Sequence, residues 1–325
     1  MSDPGAHSRM VLALAGDTML GRGVAERLRE EDVNLFSDEV GALVRRADLF
    51  VLNLECCISE RGQRWPDPDK PFFFRAPPEA VDILLSLGVD CVTLANNHAL
   101  DFGRRALLDT LDYLADAGIA VAGAGVEVGA ARAPAIVPAG GAEVAVVAVT
   151  DHPSDFAAGE SDPGVAYADL KRGAPEWLLE SVTQTSAEVV LVAPHWGPNM
   201  VSEPVPHVRR AAAALRHSGA TLVAGHSAHV VHGAHDRVLF DLGDFIDDYA
   251  VDPLMRNDLG MLFLVTIEGE RPTLLEAIPL KLDYCFTRLA VGADAAFIAQ
   301  RFLESSVAMG ADARESEGRI LVRFD

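Results

Sequence analysis

Short runs of apolar residues alternate with stretches of helical periodicity along the first part of the chain. Residues 10–15, 49–54 and 89–94 are aliphatic runs, short enough for single buried strands. In the stretch 104–117, leucines at the spacing of an amphipathic helix precede Gly118, which is placed as its C-cap. This pattern predicts strands that alternate with helices.

The alternation continues to about residue 250 and then gives way to strands. Runs at 144–149, 188–193 and 221–224 predict further strands, 205–217 predicts a helix, and 237–242 predicts a strand followed by a turn at 243–246. Two strands over 260–282, a helix at 295–308 and a strand at 319–323 complete the chain. We expect an α/β protein of two sheets with helices outside. We also expect one domain over 1–325, with a motif-bearing core of about 10–250 and a C-terminal part, 258–325, that completes it.

Polar residues follow several of these predicted strands at the point where each strand ends. Asp17 comes after the first run, Glu55 after the second, and residues 94–103 read LANNHALDFG. One such aspartate is as compatible with a turn as with a ligand, but two strands that end in a carboxylate favour a shared site at the sheet edge. Burying an unpaired amide costs roughly 1–3 kcal/mol, which favours a functional loop at 94–103.

The polar residues at strand ends share a chemistry, since they are carboxylates, an amide and imidazoles. They are Asp17, Glu55, Asn97, His98, His195, His226 and His229. This is the ligand mix expected for one or two divalent metal ions, with Mn, Fe or Zn the best candidates. Two ions about 3.5–4 Å apart, sharing one carboxylate, activate water and stabilise developing negative charge. An imidazole left over can then act as acid or base.

The order of these motifs resembles the calcineurin-like metallophosphoesterase superfamily, and most closely its CapA or poly-γ-glutamate (capsule) biosynthesis family. The motifs are Gly16-Asp17, Asn53-Leu54-Glu55, Asn96-Asn97-His98-Ala99-Leu100-Asp101-Phe102-Gly103, His195-Trp196-Gly197, Gly225-His226-Ser227-Ala228-His229 and the late segment 240–247. The resemblance implies the four-layer α/β/β/α sandwich of the metallo-dependent phosphatases. This fold agrees with the two sheets that the periodicity of apolar residues predicts.

The resemblance also implies roles for individual residues. The metal ligands it implies are Asp17 and His229 at the first ion, Glu55 between both ions, and Asn97, His195 and His226 at the second ion. It makes His98 the general acid or an electrostatic helper, oriented by Asp101. Met19 stands where the superfamily usually has a histidine, which predicts weaker binding at the first ion or the use of one ion fewer. Asp244 stands where the capsule branch tends to have asparagine.

A proline-rich irregular segment, 61–78, is either a cover for a pocket or a hydrophobic flap without chemistry. Lys70 and Arg75 flank its three consecutive phenylalanines. Together with Asn53, and with His232 three residues beyond His229, they are the candidates for substrate binding. Cys56 and Cys57 follow Glu55 directly, and buried thiols are the ordinary interpretation, with a chemical role left open.

The charge and the hydrophobic pattern of the sequence limit the classes of partner that we expect. The formal net charge of −21 argues against nucleic acid bound through its phosphates. The sequence shows neither a membrane-spanning run nor a secretory signal at its N-terminus, so we expect a cytoplasmic protein without a membrane segment. The expected partner is a small-molecule, peptide or polyglutamate-like substrate.

Three functions fit the sequence. The first is a CapA-like metal-dependent hydrolase of a phosphoester, amide or ester bond, acting in poly-γ-glutamate or related polymer and peptide metabolism. The second is a peptide epimerase that uses acid and base groups on the same fold. The third is a non-catalytic scaffold subunit of a polymer-synthesis complex, for which Met19 is the supporting feature. Fold alone does not decide among them.

Overall fold

The computed structural model describes residues 9–30 and 33–324. The N-terminal segment 1–8, to which the expectation about a secretory signal refers, lies outside the described residues. No helix in the described part of the chain is both long and apolar enough to cross a membrane.

The described chain forms strands and helices with the following bounds. The strands are β1 (Arg9–Thr18), β2 (Leu49–Leu54), β3 (Cys57–Ile58), β4 (Arg75–Ala76), β5 (Cys91–Thr93), β6 (Ala120–Ala122), β7 (Ala124–Gly125), β8 (Ala135–Ala139), β9 (Ala142–Thr150), β10 (Gly164–Val165), β11 (Val189–His195), β12 (Leu222–Ala224), β13 (Ala234–His235), β14 (Val238–Leu239), β15 (Asp244–Ile246), β16 (Leu259–Glu268), β17 (Arg271–Asp283), β18 (Phe286–Leu289), β19 (Asp312–Ser316) and β20 (Arg319–Arg323). The α-helices are α1 (Arg22–Arg27), α2 (Asp38–Val44), α3 (Ala80–Leu87), α4 (Gly103–Asp116), α5 (Val128–Arg132), α6 (Glu176–Thr183), α7 (Pro206–His217) and α8 (Gly292–Ala308).

Two sheets carry most of these strands. The large sheet has ten strands in the order β19-β20-β17-β16-β1-β2-β5-β6, with β15 beside β1 and β18 beside β17. The second sheet has six strands in the order β13-β14-β12-β11-β9-β8. In the large sheet the neighbouring strands β1, β2 and β5 are parallel. In the second sheet the neighbouring strands β9, β11 and β12 are parallel. Their carboxyl ends therefore form one edge, which is where α/β proteins bind ligands.

The side-chain alternation of the central strands produces the layers. On β1, Leu12 and Leu14 face a core cluster shared with Val146 of the second sheet. The alternate residues of β1 join an outer cluster with Leu84 of α3 and Leu107 of α4. The second sheet has its own outer cluster, in which its strands pack against α6 and α7. Each sheet is thus apolar on both faces, and the fold is the expected α/β/β/α sandwich.

Most predicted elements are present, with differences at weak sequence signals. The helix expected at 104–117 is α4, and Gly118 follows it with a φ of 73°, the left-handed value of a C-terminal cap. Helix α6 and strands β8 and β19 were not predicted. β8 has a proline and an incompletely buried pattern, and α6 has only eight residues, so neither shows a clear period.

Candidate metal centre

Two carboxylates come from neighbouring parallel strands of the large sheet. Asp17 lies near the end of β1 opposite Asn53 on β2, and Glu55 directly follows β2. Since parallel strands end at the same edge, both residues reach that edge. Asn53 Nδ2 donates a hydrogen bond of 2.8 Å to Asp17 Oδ1, which fixes the orientation of the Asp17 carboxylate.

The segment around β15 lies against the end of β1 and brings a third carboxylate to the same edge. β15 pairs with the end of β1 so that Asp244 lies opposite Asp17. The Asp17 N–H donates to Gly243 O at 2.9 Å. A Cβ on Gly16 would lie 1.8 Å from the same oxygen, so only glycine fits at position 16.

The turn predicted at 243–246 is therefore wrong, because residues 244–246 form β15. β1 pairs with β16 only from Arg9 to Leu14, which leaves its last residues open on that side. β15 fills the open edge. Three residues with backbone hydrogen bonds to a neighbour are too few to leave a periodic signal in the sequence.

Histidines reach the same edge from the second sheet. β11 ends at His195, which forms a β-bridge with His226 in the segment after β12. His229 has a φ of 58°, a left-handed conformation that costs energy in a residue with a Cβ. Such backbone strain persists where the surrounding structure holds it, and it is frequent at functional sites. All three imidazoles are buried.

Three carboxylates and one imidazole converge at this edge, and we call them the candidate metal centre: Asp17, Glu55, His229 and Asp244. One ligand atom from each lies within 4.8 Å of those from the others. His229 Nδ1 is 2.8 Å from Asp244 Oδ1, 3.4 Å from Asp17 Oδ2 and 4.0 Å from Glu55 Oε2. This buried set could hold a metal ion.

Further predicted ligands surround the centre. His226 Nδ1 is 3.4 Å from Asp17 Oδ1, and His195 Nε2 is 4.0 Å from Glu55 Oε1. Asn97, which the sequence assigned to the second ion, is half-buried with a buried amide oxygen. The structure thus places imidazole nitrogens of the predicted second set close to Asp17, predicted at the first ion, and to Glu55, predicted between both ions.

Several polar atoms in this region are buried without a hydrogen-bond partner in the described chain. They are Glu55 Oε1 and Oε2, Asn97 Oδ1, His195 Nδ1 and Nε2, His226 Nδ1 and Asp244 Oδ2. A buried charged group is strongly destabilising unless it is paired or coordinates a metal. Oxygen and imidazole donors of this kind suit Mn, Fe and Zn ions. The residues present therefore fit a divalent cation.

His98 lies on the Glu55 side of the centre and is oriented by Asp101. His98 Nδ1 is 2.6 Å from Asp101 Oδ2, and its Nε2 is 4.0 Å from Glu55 Oε1. The Phe74 ring stacks on the imidazole with 4.0 Å between ring centroids. The contact with Asp101 assigns the Nδ1 proton to that pair, so Nε2 is the nitrogen available at the centre.

The protonation states reflect burial and crowding of charge. Burial, together with the negative charge of Asp17, raises the pKa of Glu55 well above its ordinary value. Burial opposes ionisation of Asp17, but its contact with His226 and the charges of the histidines outweigh that effect and lower its pKa. Burial lowers the pKa of His98 to about 4, although Asp101 acts in the opposite direction. Burial also opposes the charge of His229, but Asp244 and Glu55 raise its pKa well above the usual range.

The predicted substrate-binding residues have partners within the protein. Lys70 Nζ donates to Asn97 O at 2.7 Å and lies 3.0 Å from Asp101 Oδ1. The Arg75 guanidinium lies over the Phe102 ring, 4.1 Å from its centroid. Lys70 therefore ties the segment 61–78 to the loop that carries His98.

The two remaining substrate-binding candidates are buried. Asn53, besides its bond to Asp17, accepts hydrogen bonds from Thr93 and Asn96. His232 Nε2 donates to Val201 O at 2.8 Å.

Met19 and the adjacent cysteines belong to the packing around the site. Met19 is buried in the outer core cluster of the large sheet, and its Sδ accepts a hydrogen bond of 3.1 Å from the Gly21 N–H. Cys56 and Cys57 are buried and reduced. Burial raises the pKa of the Cys56 thiol to about 12, so that it is protonated and unreactive near neutral pH.

The motifs in the sequence did not assign Asp241 or Asp244 to the site. Asp241 accepts hydrogen bonds from Ala228 N at 2.8 Å and Gly243 N at 2.9 Å, so it holds together the segments that carry His229 and Asp244. The available signal was the segment FDLGDFID, in which aspartates recur among apolar residues of a buried region. Buried carboxylates in such a setting require partners.

Comparison with known proteins gives this geometry a family context. The chain is 27% identical over 244 residues to the PGA biosynthesis protein CapA of Bacillus subtilis (strain 168), covering 73% of this chain and 63% of that protein. It is 29% identical over 332 residues to the probable polyglutamine synthesis accessory protein of Mycobacterium tuberculosis (strain ATCC 25618 / H37Rv), covering 84% of this chain and 85% of that protein. The chain thus spans less than two thirds of the length of the Bacillus subtilis relative.

Among solved structures, a hypothetical protein from Thermus thermophilus matches with a TM-score of 0.48 and 16% identity, covering 84% of this chain and 100% of that chain. The family model described as bacterial capsule synthesis protein PGA_cap matches residues 11–249. This match confirms the resemblance seen in the motifs, and it includes every residue of the candidate metal centre. The chain therefore belongs to the PGA_cap family of bacterial capsule synthesis proteins.

Proposed function

We propose that this chain is a metal-dependent hydrolase that cleaves an amide, ester or phosphoester bond in an acidic, peptide-like polymer or its precursor. The observation that carries the proposal is the position of Glu55. Both of its carboxylate oxygens are buried and unpartnered within the described chain, and Asp17, His229, His195 and His98 approach them. A carboxylate in this position is suited to a divalent ion.

Two sets of side chains offer ligand atoms of different chemistry. Asp17, His229 and Asp244 offer mainly carboxylate oxygens, which favour a hard ion such as Mn²⁺. His195, His226 and Asn97 offer imidazole nitrogens and an amide oxygen, which suit Mn, Fe or Zn. A bound ion would supply Lewis acidity and activate water for attack.

His98 is the residue that we assign to proton transfer. Asp101 holds its Nδ1, so Nε2 can donate a proton to the leaving group or accept one from the nucleophile. The stacked Phe74 ring and the buried setting exclude bulk water from the imidazole. Lys70, bound to Asp101 and to the Asn97 backbone, holds this arrangement in place rather than the substrate.

The substrate class rests on the relatives. One is named for PGA biosynthesis and another for polyglutamine synthesis, and both names fit a polymer of amino acids. We therefore propose a γ-linked glutamate chain or a similar acidic peptide as the substrate.

The test loads the purified chain separately with Mn²⁺, Fe²⁺ and Zn²⁺ and measures metal content by mass spectrometry. Each form is then incubated with a γ-linked glutamate oligomer and with a chromogenic phosphodiester, and products are followed by liquid chromatography. We expect cleavage of at least one substrate by the wild type and none by Glu55→Gln. Absence of turnover in protein with confirmed metal content would overturn the hydrolase proposal and favour an accessory, non-catalytic role.

A second candidate function is epimerisation of a peptide, and one observation favours it. Two imidazoles, each in contact with a carboxylate, approach different oxygens of Glu55: His98, paired with Asp101, has Nε2 4.0 Å from Oε1, and His229, paired with Asp244, has Nδ1 4.0 Å from Oε2. Removing and returning a proton on opposite faces of an α-carbon requires such a pair. Deuterium incorporation at an α-carbon without bond cleavage, lost in both His98→Asn and His229→Asn, would support it.

A further inference from the structure

A buried hydroxyl group beside the candidate metal centre has no hydrogen-bond partner in the described chain. It is Oη of Tyr249, a residue that follows β15 and is half-buried as a whole. The next residue, Ala250, is exposed, so the backbone lies near the surface and the hydroxyl forms the buried end of the side chain. A buried donor without a partner is destabilising, and such groups in native proteins commonly contact water, an ion or a ligand.

The ring of Tyr249 packs against the residues of the site. It is T-shaped to the His229 imidazole, with 5.5 Å between the ring centroids and 81° between the ring planes. It also lies 5.8 Å from Phe74, whose ring stacks on His98. Burial, together with the negative charge of Glu55, raises the pKa of Tyr249 well above its ordinary value, as expected for a phenol near that carboxylate. The phenol is therefore part of the wall of the centre.

An ion pair and two aromatic contacts hold this ring. Arg22 pairs with Asp248, the residue before Tyr249. The Arg22 guanidinium lies 5.4 Å from the centroid of the Tyr249 ring and 5.1 Å from that of Phe74. Arg22 has a φ of 46°, a left-handed value that costs energy in a residue with a Cβ and that persists only where the surroundings hold it. These contacts join the segment after β1 to the segment after β15, and they fix the orientation of the phenol.

The chemistry of the hydroxyl limits what it can contact. A phenol keeps its proton up to about pH 10, so Tyr249 Oη is a hydrogen-bond donor near neutral pH. A cation cannot accept that hydrogen bond, but an oxygen of the substrate can. When water attacks the carbonyl carbon of an amide or ester, an electron pair of the C=O bond moves to the oxygen, which becomes negative. The pair restores the double bond when the leaving group departs with a proton. A donor fixed near that oxygen stabilises the charge while it exists.

We propose that Tyr249 Oη donates a hydrogen bond to the substrate oxygen that gains negative charge at the candidate metal centre. The inference deepens the proposed function and rests on it for the bond that reacts. Tyr249 is a catalytic residue in this proposal, with a role separate from that of His98. The phenol keeps its proton throughout and stabilises charge, whereas His98 transfers a proton.

The experiment uses inorganic phosphate as the probe, because a tetrahedral oxyanion resembles the species formed when water attacks. The chain is loaded with Zn²⁺, its zinc content is measured by mass spectrometry, and phosphate is titrated calorimetrically. Tyr249→Phe removes only the hydroxyl, and Tyr113→Phe on α4 is the matched control. We expect Tyr249→Phe to keep its zinc and to bind phosphate about tenfold more weakly, as for the loss of one hydrogen bond to a charged group. Tyr113→Phe should bind phosphate like the wild type.

Three results would overturn the proposal. The first is a phosphate affinity that is equal in the wild type and Tyr249→Phe, or no phosphate binding by the zinc-loaded wild type. The second is loss of zinc from Tyr249→Phe, because the phenol would then be a metal ligand. The third is a lower Tm of metal-free Tyr249→Phe, because the hydroxyl would then have a structural partner. We expect that Tm not to fall, since an unpartnered hydroxyl has no hydrogen bond to lose.

Kinetics separate this proposal from the hydrolase itself. In a chain that cleaves its substrate, Tyr249→Phe should lower kcat by about 10²–10³-fold, as for the loss of one oxyanion donor, and leave KM nearly unchanged. A kcat equal to that of the wild type would contradict the role of Tyr249 and leave the hydrolase intact. The phosphate titration needs no turnover. A tenfold effect on phosphate in a chain without turnover would therefore contradict the hydrolase and keep Tyr249 as a donor to a bound oxyanion.

Discussion

The candidate metal centre and a neighbouring cluster of Asp151, His152 and His207 are built from the same kinds of side chain, yet their carboxylates differ in the hydrogen bonds they accept. Each has a buried carboxylate contacted by imidazoles, and His195 stands between them. In the Asp151 cluster, Oδ1 of the carboxylate is 2.5 Å from His152 Nδ1, and Oδ2 is 3.1 Å from both His207 Nε2 and the Gly197 N–H donor. In the centre, both Glu55 oxygens lack a partner in the described chain. The comparison shows that Glu55, which accepts no hydrogen bond from the described chain, is the carboxylate with oxygens left for a cation.

The largest expected effect comes from Glu55→Gln, which replaces one unpartnered oxygen by an N–H donor. Loss of residues that merely support a metal ligand costs about 10–100-fold in affinity, so loss of this carboxylate should cost more than about 100-fold and abolish turnover. Isothermal titration with Mn²⁺ and product analysis measure both effects. Glu304→Gln, an exposed change on α8, is the control. An unaltered metal affinity of Glu55→Gln would show that the unpartnered Glu55 oxygens do not bind the cation, and the contrast with Asp151 would then carry no meaning for metal binding.

The variant His98→Asn distinguishes a role of His98 in proton transfer from a role in metal binding at the candidate metal centre. Because Asp101 holds His98 Nδ1 and His98 is not among the four residues of the candidate metal centre, metal content should remain that of the wild type. Loss of general acid or base catalysis should reduce kcat by about 10²–10⁴-fold. Steady-state kinetics on the metal-loaded variant provide the measurement. A parallel loss of metal would show that His98 is a ligand instead.

Asp244→Asn tests whether the third carboxylate matters to the cation. The variant keeps the shape of the side chain and removes its charge, including the ion pair with His229 at 2.8 Å. We expect metal affinity to fall by about 10–100-fold, with the larger fall for Mn²⁺ than for Zn²⁺, since imidazole and amide donors remain. Competition titrations with a chelator measure both ions. An unchanged Mn²⁺ affinity would leave Asp244 as a partner of His229 only.

The sequence predicted the layers and most of the residues that gather at the sheet edge, because strand periodicity and strand ends are local signals. Asp17, Glu55 and His195 follow apolar runs directly, so their positions could be deduced. The position of Asp244 beside Asp17 could not be deduced from strand ends, since β15 forms only by pairing with the free end of β1. The contact between Asp151 and His207 could not be deduced either, because these residues are 56 positions apart and only tertiary packing brings them together.

Metal binding should release protons from the candidate metal centre, whereas Asp151 should release none. Burial and the charge of Asp17 raise the pKa of Glu55, and Asp244, Glu55 and Asp17 raise that of His229 against the effect of burial. In the metal-free chain both groups therefore retain a proton to higher pH than usual, and a metal must displace it. Affinity should accordingly rise with pH, by about tenfold per unit for each proton released, and level off above these pKa values.

Asp151 provides the internal reference for that measurement. Burial opposes its ionisation, but the hydrogen bonds from His152, Gly197 and His207 outweigh burial and lower its pKa below the usual range. It is therefore ionised throughout the range from about pH 6 to 8 and contributes no proton there. Calorimetric titration of Mn²⁺ in buffers of different ionisation enthalpy counts the protons released. Asp151→Asn should leave that count unchanged and Glu55→Gln should lower it, whereas a metal affinity independent of pH would mean that the carboxylates of the centre are already ionised.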